Sequence, residues 1–216
     1  TNLEEEHYLG RFWDLDVINS DFKILSRADF GRSPRKCFLC SEDAKVCGRQ
    51  QKHSYHELTS KIHETLKEYI FQKTVSEMAY NALLKEVKLT PKPGLVDLNN
   101  SGSHKDMDVE LFLRSAKTLR PFFEKFISIG MNSLTYDFSI LFNKLRISGI
   151  EAEQEMFSET GQVNTHKGAI FSFALILGVI GRLSKKENYN FSIFELLDNV
   201  KMCASNISNE FSTDSV

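Results

Sequence analysis

The feature that most restricts the fold is the stretch 86–106, EVKLTPKPGLVDLNNSGSHKD, which cannot be helical although amphipathic helical segments flank it. Pro91 and Pro93 remove backbone donors and disfavour the α conformation at the residues that precede them. Gly94 and Gly102 permit backbone angles that other residues avoid. Irregular connections of this length are uncommon inside compact domains and are usually either functional or disordered. The stretch therefore predicts a functional loop between helices.

The polar residues of this loop favour function. Lys92 and Lys105 can meet phosphate, and Asp97 and Asp106 can offer carboxylates to a divalent cation. Histidine is the usual side chain for proton transfer near neutral pH, so His104 is a candidate for moving a proton. A purely structural interpretation stays open for two of them, with Lys92 as a solvated loop cation and Asp97 as the cap of a turn.

The composition is that of an ordinary soluble globular protein, with 41% hydrophobic and 26% charged residues. The net charge of −2 provides no basic field for nucleic acid. The longest apolar run, 169–180, is too short for a membrane span and predicts a buried helix. Four cysteines without a visible secretory signal do not suggest a disulfide framework, so we expect a cytoplasmic protein. Because the chain opens on Thr1 rather than Met, we expect it to be a piece of something longer.

From residue 56 onward the apolar residues recur with a helical period, which predicts a mainly α fold. A domain of residues 58–216 is expected to follow a small α/β or irregular, cysteine-containing segment of residues 1–57. Thr74 and Glu77 form a capping-box pattern that predicts two helices, or one with a break. The predicted helices cover 58–70, 75–87, 108–127 with a kink or a new start at Pro121, 135–148 ending at Gly149, 150–158, a segment capped by Asn164 or Thr165, and 192–203. Asp108 is expected to cap the third of these helices, and Ser192 with Glu195 forms a capping-box pattern at the start of the last.

The N-terminal segment contains an acidic pair. The residues from Gly10 to Ile18 are aromatic and β-branched enough to predict a strand, which would place Asp14 and Asp16 on one face. Two adjacent carboxylates repel each other unless a cation joins them, so this pair is a candidate Mg²⁺ site. A solvated strand face, with the acids outward, explains the same pattern.

A cysteine-rich patch follows, in which Cys37, Cys40, Cys47 and His53 present three thiols and an imidazole. The Cys-x2-Cys half suits a tetrahedral zinc knuckle because two sulfurs can bind from one tight turn. The gap between Cys40 and Cys47 is shorter than in common zinc fingers. This irregular spacing favours reduced cysteines packed as small apolar groups over a Zn²⁺ site.

A second polar motif, residues 160–168, opens into the most apolar helix of the chain. Asn164 or Thr165 is expected to cap this helix. A helix N-terminus offers unpaired N–H groups and a partial positive charge, so it can bind an anion. With His166 and Lys167 in its first turn, the motif is a candidate phosphate site, and an ordinary N-cap with two exposed cations is the alternative.

Both polar motifs resemble one protein family. The first runs from Glu86-Val87 through Thr90-Pro91-Lys92-Pro93-Gly94-Leu95-Val96-Asp97 to Gly102-x-His104-x-Asp106-Met107, and the second is Gly161-x-x-Asn164-Thr165-His166-Lys167-Gly168-x-Ile170-Phe171. Residues 63–216 thereby resemble the triphosphoribosyl-dephospho-coenzyme A synthases, which are mainly helical and make the prosthetic-group precursor of citrate lyase. The resemblance implies that ATP and 3′-dephospho-coenzyme A are joined with release of adenine. It also implies that the synthase part is incomplete at the C-terminal end.

Residues 1–57 resemble the C-terminal part of a second family. Gly10-Arg11-Phe12-Trp13-Asp14-Leu15-Asp16-Val17-Ile18 and the segment Arg35-Lys36-Cys37-x-x-Cys40 to His53-Ser54 are similar to the apo-citrate lyase phosphoribosyl-dephospho-coenzyme A transferases. Members of that family attach the finished group to a serine of the acyl carrier (gamma) subunit of citrate lyase and release pyrophosphate. The chain thus resembles a fusion of two consecutive enzymes.

The resemblance implies roles for individual residues. The expected partners are ATP, 3′-dephospho-coenzyme A and the acyl carrier subunit, with neither nucleic acid nor a membrane, and the expected cofactor is Mg²⁺. Alternatives are a fragment that binds nucleotide or coenzyme A without turnover, and a docking module for the acyl carrier subunit. The candidate catalytic residues are His104, Asp106 and His166, the candidate substrate-binding residues are Lys92, Gly94, Gly102, Asn164, Thr165, Lys167 and Gly168, and the candidate metal ligands are Asp97, Asp106, Asp14 and Asp16.

Overall fold

The computed structural model describes residues 2–205, and the chain divides into two compact units, Thr1–Phe71 and Gln72–Val216. Helices dominate the described residues, and the strands there form one small two-stranded sheet. The predicted mainly α fold with a small, irregular N-terminal segment is therefore confirmed.

The N-terminal unit consists of short elements. Helix α1 (Asn2–Glu6), a 3-10 turn (Gly10–Phe12), strands β1 (Val17–Ile18) and β2 (Ile24–Leu25), a second 3-10 turn (Arg27–Phe30) and helix α2 (Ala44–Arg49) follow in order. The strands are antiparallel, with Val17 opposite Leu25 and Ile18 opposite Ile24. Helix α3 (Tyr55–Lys88) begins in this unit and continues into the next.

The predicted strand Gly10–Ile18 is wrong over most of its length, because only Val17 and Ile18 pair with another strand. The backbone N–H of Trp13 instead donates to the carbonyl of Gly10 at 3.2 Å, closing a 3-10 turn. The ring of Trp13 stacks on His7 at 4.5 Å between centroids. The pattern of residue types in 10–18 does not report the contact between the rings of His7 and Trp13, and this contact favours the turn over a strand.

The two units meet later in the chain than the boundary at residue 57 that the sequence suggested. The first part of α3 packs within the N-terminal unit, where the Tyr8 hydroxyl donates to Glu68 at 2.8 Å and the ring of His7 lies 5.8 Å from that of Tyr69. These contacts assign the start of α3 to the N-terminal unit. The apolar residues there have a helical period, which is why the sequence analysis placed them in the helical domain.

The second unit is a bundle of long helices. Helix α6 (Lys167–Lys186) packs against α4 (Val109–Met131), α5 (Phe138–Thr160) and α7 (Ile193–Ala204). The second half of α3 lies along α4, where Gln72 donates to the Glu124 carbonyl at 2.8 Å. Large fully buried side chains of this unit are Val87, Leu119, Phe123, Phe126, Ile127, Leu141, Leu145, Met156, Ile170, Val179 and Leu183.

Three predicted interruptions do not divide helices. Helix α3 is continuous through the Thr74–Glu77 pattern, α4 runs past Pro121, and α5 runs through Gly149 rather than ending there. A glycine inside a helix costs only about 1 kcal/mol relative to alanine, so burial of neighbouring side chains can offset it. The predicted caps Asp108 and Ser192 are confirmed, and Ser192 forms its capping box with Glu195.

Helix α6 is long and apolar enough, by length and composition alone, to cross a membrane. The argument that its apolar run is too short therefore does not hold. Half of its most apolar window is buried inside the structure, as in the core helix of a soluble domain. Ile170, Leu177 and Leu183 are each at most 3% exposed, which confirms the predicted buried helix.

Helices α4 and α6 cross with their backbones in direct contact at Gly181. A Cβ atom at this position would overlap the carbonyl oxygen of Ile127, whereas one at Gly149 would lie 4.0 Å from Ile170. We expect Gly181→Ala to lower the free energy of unfolding by about 1–3 kcal/mol, since tightly packed backbones cannot yield easily. Urea unfolding followed by circular dichroism measures the loss. Gly149→Ala is the matched control, which should be neutral or slightly stabilising, and equal stability of the two variants would contradict the packing argument.

Candidate active site

A cavity of about 650 Å³ lies in the helical unit. The loop after α3, helix α4 and the beginning of α6 surround it, so the two polar motifs of the sequence converge here. The lining residues are Ala82, Leu83, Glu86, Lys92, Leu95, Val96, His104, Met107, Phe112, Asn164, Thr165, His166, Lys167, Gly168, Ala169, Ser172 and Phe173.

Asp97 holds the loop together through hydrogen bonds to its backbone. It is 4% exposed, and its carboxylate accepts the backbone N–H groups of Lys92 at 3.0 Å, Asn99 at 2.8 Å and Asn100 at 3.0 Å. These donors, that of Lys92 above all, lower the pKa of Asp97, so the carboxylate is ionised at neutral pH. The contacts support the structural interpretation of Asp97, and its role as a metal ligand stays a prediction.

Gly94 and Gly102, predicted to bind substrate, hold the loop together. Both have positive φ angles, +79° and +58°, and a Cβ at Gly102 would lie 2.6 Å from the backbone of Gly94. The Ser103 N–H donates to the Gly94 carbonyl at 3.1 Å. Neither glycine lines the cavity, so the described geometry gives them a turn-forming function, while contact with substrate remains a prediction.

His166 is the most buried titratable side chain at the cavity, with 4% exposure. Its Nδ1 lies 2.8 Å from the Ser115 hydroxyl, which also lies 2.7 Å from Thr165 Oγ1. The edge of Phe112 packs on the imidazole at 5.0 Å between centroids. Among the described residues, Nε2 of His166 is buried without a hydrogen-bond partner.

Burial lowers the pKa of His166 to about 4, an effect that nearby Glu86 opposes and Lys92 reinforces. The imidazole is therefore neutral at pH 7, and only one of its nitrogens carries a proton. If Ser115 donates to Nδ1, the proton lies on Nε2. If Ser115 accepts from Nδ1 and donates to Thr165, Nε2 is a free base. The hydroxyl groups of Ser115 and Thr165 are thus compatible with both tautomers of His166. Nε2 can donate a proton in one tautomer and accept a proton in the other.

Two cations line the cavity together with this histidine. Lys92 is largely buried, with a side chain 12% exposed, and its Nζ donates to the carbonyl of Glu86 at 3.0 Å and to the Glu86 carboxylate at 3.1 Å. Lys167 pairs with Glu153 at 3.2 Å and is 56% exposed. An incoming phosphate could recruit Lys167 at small cost, since exposed ion pairs contribute little.

Helix α6 begins later than the sequence suggested. Neither Asn164 nor Thr165 is its N-cap, a position that His166 occupies without a side-chain cap bond. Asn164 Oδ1 nevertheless accepts the Lys167 N–H at 3.2 Å, and the Thr165 hydroxyl bonds Ser115 instead. The predicted cap at Thr165 is wrong because a buried tertiary partner takes its side chain. Gly168 lines the cavity from the first turn.

Of the remaining loop candidates, one lines the cavity. His104 lines the cavity, whereas Lys105 and Asp106 are exposed neighbours that do not. Within residues 2–205, no group of three or more acidic side chains forms a metal cluster. Mg²⁺ commonly binds through one or two carboxylates with substrate phosphates and water, and the exposed Asp106 fits that mode better than Asp97, whose two oxygens already accept three backbone N–H groups.

Asp14 and Asp16 belong to the N-terminal unit. Both are exposed and lie in the extended segment before β1. Their role as Mg²⁺ ligands stays a prediction.

Ser115 and Phe112 are site residues that the sequence analysis missed. Ser115 is fully buried and lies on the same face of α4 as Phe112, Ala116 and Leu119. A hydroxyl at one position of an otherwise apolar helical face requires a buried partner. That exception in the periodic pattern was the available signal.

The burial of His166 predicts a pH effect on stability. Its folded pKa of about 4 lies below the ordinary value of 6.5, so the unfolded chain takes up a proton first as the pH falls. Stability should be unaffected above pH 7 and should drop by about 2 kcal/mol between pH 7 and pH 5. Urea unfolding at the two pH values measures this. The drop should vanish in His166→Gln and persist in His63→Gln, which removes an exposed histidine, and persistence in both variants would refute it.

Two family models match the chain. The ATP:dephospho-CoA triphosphoribosyl transferase family matches residues 72–210, and the apo-citrate lyase phosphoribosyl-dephospho-CoA transferase family matches residues 1–69. The two matches meet where the structure divides, since the compact units join between Phe71 and Gln72. The cavity and both polar motifs lie inside the first match.

The chain is similar to several curated proteins. Protein CitXG of Haemophilus influenzae is 47% identical over 181 residues, which cover 84% of this chain and 39% of that protein. Protein CitXG of Leuconostoc mesenteroides subsp. cremoris is 41% identical, over 85% of this chain and 42% of its own. The 2-(5''-triphosphoribosyl)-3'-dephosphocoenzyme-A synthase of Haemophilus ducreyi is 49% identical over 67% of this chain and 45% of its own. The chain thus spans less than half the length of these relatives, and no solved structure matches it.

Proposed function

Since the chain belongs to the ATP:dephospho-CoA triphosphoribosyl transferase family, we propose that the cavity binds ATP and 3′-dephospho-coenzyme A and joins them with release of adenine. The observation that carries this proposal is the buried, neutral His166, whose Nε2 is unpartnered among the described residues, at a cavity that Lys92 and Lys167 line. A proton-transfer group that shares a cavity with two cations suits a reaction of a polyphosphate substrate.

The proposed reaction is a ribosyl transfer. The 2′-hydroxyl of dephospho-coenzyme A attacks the anomeric carbon of the ATP ribose, the bond from that carbon to adenine breaks, and the hydroxyl proton leaves. Such a centre passes through an oxocarbenium-like transition state, as in glycoside hydrolysis. The site must therefore hold the triphosphate, tolerate positive charge at the sugar, and move one proton from the nucleophile and one to the leaving base.

Residues of the cavity can meet these needs. Lys92 and Lys167 would hold the phosphates together with the N-terminal N–H groups of α6. His166 would move a proton at Nε2, taking it from the 2′-hydroxyl in one tautomer or giving it to adenine in the other. His104, which also lines the cavity, would carry out the complementary proton transfer. Phe112 and Phe173 would exclude water from the sugar.

Mg²⁺ is the cofactor that we propose to accompany the triphosphate. It would neutralise phosphate charge, and Asp106 is the candidate ligand from this unit. Asp97 would support the site by fixing the loop that presents Lys92.

For the N-terminal unit, we propose a contribution to transfer of the finished group to the acyl carrier subunit of citrate lyase. Asp14 and Asp16 would hold Mg²⁺ against the departing pyrophosphate. The match of residues 1–69 to the transferase family supports this proposal. Both proposed reactions use soluble substrates, which supports a cytoplasmic location.

Adenine release tests the synthase proposal. The chain is incubated with ATP, Mg²⁺ and dephospho-coenzyme A, and adenine is quantified by chromatography. We expect release only when both substrates are present, and loss of release in Asp106→Asn but not in Asp198→Asn, which changes an exposed aspartate of α7. Thermal stabilisation by ATP without any adenine would overturn the synthase proposal for this chain and would select the alternative of a nucleotide-binding fragment.

A further inference from the structure

The N-terminal unit brings four metal-binding side chains together. One ligand atom each from Cys37, Cys40, Cys47 and His53 lies within 4.8 Å of all the others. In residues 2–205 no other group of three or more His, Cys, Asp or Glu side chains meets this condition. The sulfurs of Cys40 and Cys47 are 4.0 Å apart, about twice the length of a disulfide bond. The cluster is therefore a set of thiols around a common centre.

Backbone structure on both sides of the cluster holds it in place. Lys36 and Asp43 form an antiparallel bridge, and the Cys37 N–H donates to the Glu42 carbonyl at 2.7 Å. This closes a tight turn that presents Cys37 and Cys40 together. Asp43 then caps α2, accepting the Lys45 N–H at 2.7 Å, and thereby orients the helix.

Helix α2 and the residues that follow it supply the other two ligands, Cys47 and His53. Cys47 is 4% exposed and lies one turn into the helix. The Lys52 N–H donates to the Cys47 carbonyl at 3.3 Å, which returns the chain so that His53 follows beside it. The gap between Cys40 and Cys47 is short for a zinc finger because it contains only the end of the turn, the cap residue Asp43 and the first residues of α2.

The surroundings of the ligand atoms suit a bound cation. The Leu39 N–H donates to Cys37 Sγ at 3.5 Å, a contact that orients and stabilises a thiolate. Nε2 of His53 is buried and, among the described residues, has no hydrogen-bond partner. Packing of the cysteines as small apolar groups would explain buried sulfur, but it does not explain an imidazole nitrogen buried without a partner beside them.

We propose that Cys37, Cys40, Cys47 and His53 bind one Zn²⁺ ion. Three thiolates and one imidazole are a common structural ligand set, and Zn–S bonds of about 2.3 Å place tetrahedral sulfurs about 3.8 Å apart. The observed separations, 4.0 Å between two sulfurs and at most 4.8 Å overall, need to contract by only about 1 Å. With four protein ligands no position stays open for substrate, so the ion is structural.

The bound ion would order the surface beside it. A cavity of about 650 Å³ in this unit is lined by Arg11, Arg35, Cys37, Cys47 and His53, among others. Three thiolates with Zn²⁺ carry a net charge of −1, which the nearby Arg11 can complement, while Arg35 pairs with Glu4. Zinc would thus fix the loop that carries Arg35 against helix α2. This inference is independent of the proposed synthase activity.

Metal analysis of the whole chain tests the site. The protein is purified without chelator and without a histidine tag, and zinc is measured by mass spectrometry. We expect about one Zn²⁺ per chain, and less than about 0.2 in Cys40→Ser and in His53→Ala. Cys203→Ser is the matched control because Cys203 is a buried cysteine of α7, outside the cluster. Loss of zinc in that variant as well would overturn the assignment to these four residues.

Cobalt substitution decides the question even where a variant does not fold. The unmutated chain is stripped of metal, loaded with Co²⁺ and examined by absorption spectroscopy. Tetrahedral thiolate ligation should produce intense visible d–d bands together with sulfur-to-cobalt charge transfer in the near ultraviolet, and added Zn²⁺ should abolish both. Zinc below about 0.1 per chain together with an absence of these bands would overturn the proposal, whatever the rate of adenine release.

Discussion

Replacement of His166 by glutamine is expected to lower the rate of adenine release by about 10²–10⁴-fold, the usual contribution of a general acid or base. The side chain is buried at the cavity, neutral at pH 7, and its Nε2 has no partner among the described residues. Glutamine keeps polarity and approximate size but cannot take up and return a proton. The measurement is kcat for adenine release at saturating ATP and dephospho-coenzyme A.

Two companion variants separate catalysis from positioning. Ser115→Ala removes the hydroxyl that bonds His166 Nδ1 at 2.8 Å and should cause a smaller loss, with a shifted pH profile of kcat. If the two histidines divide the two proton transfers, His104→Gln should also reduce kcat. It should change the pH profile of kcat on the limb that the His166 variant leaves unchanged. An unchanged kcat in His166→Gln, with the fold intact by circular dichroism, would remove this histidine from the mechanism.

The second large effect is expected at Asp97, which is not a cavity residue. Asp97→Ala should lower kcat/KM on the order of 100-fold, because it removes the acceptor of three backbone N–H groups that shape the loop carrying Lys92. Asp97→Asn should also impair the enzyme. Its amide oxygen can replace Oδ1 toward Asn99 and Asn100, but its NH₂ group would then face the Lys92 N–H.

Asn99→Ala is the matched control for Asp97, since it changes an exposed side chain of the same turn and keeps the backbone donor. It should leave kcat/KM nearly unchanged. Titration with Mg²⁺ distinguishes the two roles of Asp97. If the carboxylate binds the metal, higher Mg²⁺ should restore activity to Asp97→Asn, whereas a defect in loop structure should not respond. Equal activity of Asp97→Ala and Asn99→Ala would contradict both roles.

Much of the site could be predicted because its chemistry lies in two local motifs. Prolines and glycines were predicted to exclude a helix from residues 86–106, and this is correct from residue 89 onward, whereas residues 86–88 form the last turn of α3. The apolar period predicts the helices on both sides. Lys92, His104, His166 and Lys167 of the two motifs line one cavity, whereas Asp97 and Asp106 do not. The same local logic correctly gave Asp108 and Ser192 as helix caps.

The cysteine cluster shows what residue spacing alone does not report, which is that the four side chains lie close together. An irregular interval between Cys40 and Cys47 argued for simple packing, because common zinc fingers use longer ones. The Asp43 cap of α2 and the bridge between Lys36 and Asp43 bring the two cysteines together over a short stretch of chain. Rules based on residue spacing do not include such contacts.

The sequence by itself determined the fold class, the non-helical loop, the polar residues around the cavity and the membership of a family, because each depends on neighbours along the chain or on long matched motifs. Only the tertiary structure decided that α3 and α5 are continuous, that Thr165 bonds Ser115 rather than capping α6, and that Asp97 serves the loop from within. The physical reason is common to all three. Burial against distant residues changes which partner a polar group takes and what a glycine costs, and these energies exceed the local preferences that a sequence pattern reports.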